Sequence, residues 1–163
     1  MNMSGSSEKH VDFRLGKARG AFYAAKSILC DKRVPLALRL HELTRRVYPV
    51  FLCNMSSVVL SQKILRRVQV VDRHFLRSML GLRRRPEDSF AEFISRATSK
   101  AIRLSCHFQH VSLDVLFVQR IFNHASKIAV ASRSTFPLSG IRSLVLNCFL
   151  RIATPFGKRP CLL

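Results

Sequence analysis

Residues 61–81 read SQKILRRVQVVDRHFLRSMLG. Within them Ile64, Val68, Val71, Phe75 and Met79 recur at intervals of three or four, the period that gathers apolar side chains on one face of an α-helix. Arg66, Arg67, Arg73 and Arg77 fill much of the remaining circumference. Gly81 stands just beyond the last periodic residue, where a left-handed backbone commonly closes a helix. Arg83, Arg84, Arg85 and Pro86 follow as a basic loop. The stretch predicts a helix over about Ser61 to Leu80 with one core face and a surface of guanidinium.

Upstream, Val11, Leu15, Ala18, Phe22, Ala25 and Leu29 form a stripe that predicts a helix from about His10 to Cys30. Arg14 and Lys17 flank it on one side, Arg19 and Lys26 on the other. Gly16 and Gly20 either weaken this helix or let another backbone come close. The polar start, residues 1–9, predicts a flexible segment. Pro35 suits a first helical position, and Leu36, Leu40, Leu43 and Val47 carry a second helix that Pro49 is expected to end or kink. Val50 to Leu60 is apolar and Ser-rich and has no decisive period.

Downstream, Ser89 and Glu92 read as a capping box. The helix they open places Phe90, Ile94, Ala97, Ala101, Leu104 and Phe108 on one face. Arg96, Lys100, Arg103, His107 and His110 recur beside it as a basic stripe. Ser112 and Asp114 suit the start of a fifth helix, with Val115, Val118, Phe122, Ala125 and Ala129 as its apolar positions. From Ser134 the pattern stops: Phe136 to Gly140 is a turn, Ile141 to Ala153 one further apolar segment, and the rest irregular. The expected fold is all-α: roughly five amphipathic helices in an irregular bundle over 10–133, with an uncertain tail over 134–163.

The chain has 163 residues, 28 Lys+Arg against nine Asp+Glu, a formal charge of +19 and a pI near 11.3. Its hydrophobic fraction of 48% is that of a chain with a core, unlike a disordered basic tail. Such a charge disfavours most metabolic enzymes and favours a polyanionic partner, nucleic acid or anionic lipid. The five cysteines, at 30, 53, 106, 148 and 161, include no CxxC pair. With no apolar leader at the start, reduced thiols and an intracellular location, nuclear or cytoplasmic rather than secreted, are expected. No apolar run is long enough for a membrane span.

Catalysis needs a constellation, and the scattered acids supply none. Glu87-Asp88, the adjacent pair, precedes a helix and suits its dipole. No Gly-rich phosphate loop, GxSxG elbow or HExxH occurs. Cys106 and His110 lie one turn apart, but zinc wants four ligands and the others are missing. Neither a metal nor a cofactor is expected. Cys30, Cys53 and Cys148 sit among apolar residues and read as small core side chains.

Arginine faces on a helical bundle are ordinarily solvated surface, but such surface normally carries interspersed acids. Here the acids are few, so the stripes repel one another unless a polyanion neutralises them. Arginine also suits phosphate, because its planar fork donates two parallel hydrogen bonds. The signal is for phosphate and not for base sequence, since no helix-turn-helix or RNP signature is present. The twelve phenylalanines stand mostly at core spacing.

Three segments stand in a telling order. Arg14-Leu15-Gly16-Lys17-Ala18-Arg19-Gly20-Ala21-Phe22 comes first. Leu38-Arg39-Leu40 leads to Val47-Tyr48-Pro49-Val50-Phe51-Leu52, and Leu65 leads to Leu76-Arg77-Ser78-Met79-Leu80-Gly81. In this order, the stretch from about Glu8 to Ala131 resembles the region after the palm in reverse transcriptases of non-LTR (LINE-type) retrotransposons. The chain departs from that pattern in having Cys53-Asn54 after the Pro-apolar run, no Trp, and no Asp-Asp pair. The resemblance implies a thumb-like helical region without the catalytic palm, gripping the backbone of RNA or an RNA/DNA duplex. In a full-length parent it would pack against palm and fingers. The tail after Ser134 fits a truncated or out-of-frame copy.

The expected function is non-specific contact with nucleic-acid backbone and no catalysis. The expected contact residues are Arg14, Lys17, Arg66, Arg67, Arg73, Arg77, Arg83, Arg84, Arg85, Arg96, Lys100 and Arg103. The alternatives are a basic amphipathic module for membrane surfaces or protein partners, which the alanine-rich stripes disfavour, and a degenerate fragment with no selected role.

Overall fold

The computed structural model describes residues 3–131. The predicted turn at 136–140, the apolar segment after it, Cys148 and the tail therefore lie outside the described residues. The described chain is all-α. Helices α1 (Met3–Ala24), α2 (Lys26–Leu29) and α3 (Leu36–Glu42) are followed by a wide π-type turn, Leu43–Val47. Then come α4 (Tyr48–Leu52), α5 (Gln62–Leu80), α6 (Phe90–His107) and α7 (Leu113–Ala131).

Helix α5 is the centre: it packs against α1, α6 and α7, while α4 bridges α1 and α7. The periodicity explains why. All six stripe residues from Val11 to Leu29 are buried, and so are Ile64, Val68, Val71, Phe75 and Met79. Phe22 stacks on Phe75 with centroids 4.7 Å apart, and Phe51 meets Phe117 edge-on at 5.3 Å. Both ends of α5 are closed as its sequence dictates. Ser61 Oγ accepts from the Ile64 N–H at 3.2 Å, and Gly81 takes the left-handed φ of 57°. Arg39, buried in α3, donates from Nη1 to the Met79 carbonyl at 2.6 Å and from Nε to the Val34 carbonyl at 3.0 Å. It thereby places a cation where the carbonyls of α5 are unpaired and the helix dipole is negative.

Several local expectations are corrected. Helix α1, Met3–Ala24, holds Glu8 where it accepts from Lys63 Nζ at 2.9 Å. It stops at Ala24, before the short α2, although the buried stripe runs on through both. A Cβ built on Gly16 or Gly20 meets nothing within 4 Å, so neither glycine admits a close backbone. Pro49 does not end its helix. The wide turn over Leu43–Val47 immediately precedes it, and Pro49 sits in the first turn of α4, where a missing N–H is tolerated. Beyond α4, Met55 and Val58 bury themselves in the loop.

The apolar stripe of α6 is buried only at its middle, Ala97 and Ala101, while Phe90 and Phe108 at its ends are exposed. The buried face of α7 is Leu113 and Phe117, with Leu116, Ile121 and the expected Val118 partly covered. The expected Val115 and Phe122 are exposed. The Leu113 N–H donating to Asp72, and Gln69 Nε2 donating to Asp114 Oδ2 at 2.7 Å, tie the first turn of α7 to α5. Cys53 is exposed and Cys30 half-buried, its thiol 3.6 Å from the Ser78 carbonyl. No described helix is long and apolar enough to cross a membrane.

Candidate nucleic-acid interface

The twelve cations singled out from the sequence do not form one surface. The fold distributes them over three places, and neighbouring carboxylates already engage some of them.

The first place is the outer ridge of α5. Arg66, Arg73 and Arg77 share its solvent side over a rise of about 16 Å at 1.5 Å per residue. Arg66 is exposed, and Arg73 and Arg77 are half-buried. Arg77 Nη1 donates to Thr98 Oγ1 at 2.9 Å. Partial burial, then the charge of Arg73, lowers the Arg77 pKa. Burial, then Arg77 and Arg19, lowers that of His74. Those causes place His74 near Arg77 and Arg19, and Arg77 near Arg73, and none of these arginines has an ion-pair partner among the described residues.

Beside this ridge runs a groove of about 660 Å³ between α1 and α5, floored by Leu15 and Val71 and rimmed by Arg19, Lys63, Arg66 and Arg67. Its opening end is neutralised. Arg67 Nη1 reaches both oxygens of Asp12, at 3.0 and 2.8 Å, and Glu8 joins Lys63 and Arg67. The hydrogen bond from Lys63 holds the Glu8 carboxyl below its ordinary value. Arg67 is therefore engaged within the fold. Arg19 and Lys63 belong to this rim although they stand outside the twelve; the position of Arg19 on the α1 flank opposite Lys17 was the available signal.

The second place is the far flank of α1. That helix turns Asp12, Leu15 and Arg19 toward α5, leaving Arg14 and Lys17 on another side. Arg14 is half-buried, its Nε enclosed without a hydrogen-bond partner. Lys17 Nζ stands 5.5 Å above the exposed Phe13 ring, a contact worth about 0.5–1 kcal/mol at an exposed site.

The third place joins the 83–85 loop to α6. Thr98 faces α5, so Arg96 and Lys100, two residues to either side of it, are turned to the opposite flank. Arg103 and His107 continue that row, and Arg83, Arg84, Arg85, Lys100 and Arg103 are all exposed. Asp88 ties loop to helix. Its side chain pairs with Arg96 and accepts from the Arg85 N–H at 3.2 Å, and its carbonyl accepts from Arg84 Nε at 2.8 Å. The Arg96 hydrogen bond, foremost, holds its pKa below the usual carboxylate range. Glu92 is engaged in the predicted capping box with Ser89, and neither it nor Glu87 has an ion pair among the described residues. His110 does not extend the row: its Nε2 lies 2.9 Å from the buried Tyr48 hydroxyl.

Among the described residues no group of three or more His, Cys, Asp or Glu is placed to hold a metal ion. No family model matches the chain, and no curated protein or solved structure matches it either.

Proposed function

We propose that the protein is a non-catalytic helical module that binds nucleic-acid backbone through the α6 flank and the loop leading into it. One observation carries this reading: Lys100 and Arg103 on α6 and Arg83, Arg84 and Arg85 in the loop before it are all exposed, while the nearby Asp88 and Glu92 are engaged by Arg96 and Ser89. From Arg96 to His107 the row rises about 16 Å, which matches roughly five nucleotides of one strand at 3.4 Å each. Nothing in the row is placed to read base edges, so the contact is with phosphate and is independent of sequence. The resemblance to the thumb region of non-LTR reverse transcriptases supports the same reading and adds an ancestry, with RNA or an RNA/DNA duplex as the favoured partner. The α5 ridge is a separate surface on the same helical frame.

The test is equilibrium binding of the full chain to labelled duplexes of unrelated sequence. Lys100→Gln combined with Arg103→Gln should weaken binding to every duplex alike, by roughly eightfold per contact at 0.1 M salt. Equal affinity of variant and parent removes the α6 flank from the interface. Flotation with phosphatidylserine vesicles, in the absence of nucleic acid, that depends on the same two residues would favour an anionic membrane surface instead.

A further inference from the structure

A second concave site lies between α4 and α7 and uses none of the cations considered so far. It is a cleft of about 420 Å³, walled on one side by Leu52 at the end of α4 and by Ser56 beyond it. The other wall is α7, where Leu116, Arg120, His124 and Lys127 recur at helical spacing, with Gln119 and Asn123 beside them. No carboxylate of the described residues lines it. Neither Arg120 nor Lys127 has an ion-pair partner among the described residues.

This is not the geometry of an ordinary solvated face, which is convex and mixes both signs of charge. Here two permanent cations, an imidazole, two amides and a hydroxyl converge on a hollow with an apolar wall. Its volume lies in the range of about 300–1,000 Å³ that small ligands occupy. A guanidinium and an ammonium seven residues apart stand about 10 Å from one another along the same side of α7, on either side of His124, where long side chains can reach one anionic group between them. Arginine prefers the multidentate oxygens of phosphate. Leu52 and Leu116 leave room for the apolar body that carries it.

We propose that the α4–α7 cleft binds a phosphomonoester of nucleotide size, its phosphate held by Arg120 and Lys127 with His124 beside them. The site is independent of the α6 flank, and either reading survives the failure of the other. The experiment is a titration of the full-length, isotope-labelled chain followed by NMR, with adenosine 5′-monophosphate, inorganic phosphate and adenosine as separate probes. The monophosphate should shift the resonances of Ser56 and residues 119–127 saturably, and inorganic phosphate should compete for them. Adenosine should bind at least tenfold more weakly. Arg120→Gln with Lys127→Gln should lose at least tenfold in affinity with an unchanged helical circular-dichroism spectrum, and Lys100→Gln with Arg103→Gln should lose none. Should the double variant unfold, Lys127→Gln alone carries the test and should weaken the monophosphate severalfold without affecting adenosine. Equal binding of adenosine and its monophosphate, shifts confined to the α6 flank, or no saturable shift up to about 1 mM, the weak end of specific affinity, would overturn the assignment.

Discussion

The Tyr48 hydroxyl donates to Asp72 Oδ1 at 2.6 Å, with both side chains almost fully buried. That bond joins α4 to α5, and the Leu113 N–H received by the same carboxyl joins both to α7. Burial is the main influence on Asp72 and outweighs these two donors, raising its pKa from 3.8 to about 6. The folded state therefore holds a proton that the unfolded chain releases near pH 3.8. Stability from this group is complete below that pH and is lost as the pH rises through about 6. The loss is on the order of 3 kcal/mol at 1.36 kcal/mol per pKa unit. Asp72→Asn keeps an acceptor but cannot titrate. Urea unfolding of the two proteins in parallel between pH 4 and about 7 should show the parent losing stability relative to the variant. Parallel profiles would mean that Asp72 titrates normally in the fold.

Arg39 makes a second prediction. Its two hydrogen bonds end on backbone carbonyls of Met79 and Val34, and no carboxylate among the described residues pairs with it. Arg39→Met fills a similar volume and leaves both carbonyls unanswered. Denaturant unfolding should show a loss of about 2–3 kcal/mol, as for charge-assisted bonds left unmade. A neutral result would show that water replaces the guanidinium without penalty.

The glycines separate by sign. Gly16 and Gly20 lie inside α1 with open space where a Cβ would stand, so Gly16→Ala and Gly20→Ala should each stabilise by about 0.5–1 kcal/mol. Gly81 has φ 57°, and a Cβ there would lie 3.3 Å from Lys32 Cε. Gly81→Ala should destabilise by about 1–2 kcal/mol from the left-handed backbone alone. Melting temperatures of the three variants check all three signs together.

Much of the frame is legible in the residues themselves. The stripes of α1 and α5 predict their buried faces, and Ser61, Gly81 and the Ser89–Glu92 box mark helix ends, because spacing and capping are local properties. What escapes local reading depends on partners distant in sequence. The start of α7 is tied to α5 through Asp72 and Gln69, which nothing between Ser112 and Ala131 reveals. Pro49 stays helical because the wide turn before it accommodates the ring. The row on α6 is visible in sequence, but its separation from the α5 ridge follows from Thr98 meeting Arg77. Arg39 and Asp72 did leave a trace: each falls among the apolar positions of its own helix, where a charged side chain must find a buried partner.

The most direct measurement is the salt dependence of binding to an RNA/DNA or DNA duplex, for the parent and for Lys100→Gln/Arg103→Gln. With Arg96 engaged by Asp88, five exposed cations remain on the α6 flank and its loop. Log affinity should fall against log salt with a slope near −4.5 on B-form DNA, and the double variant should flatten it by about 2. An affinity indifferent to salt, or a slope unchanged in the variant, would contradict the account.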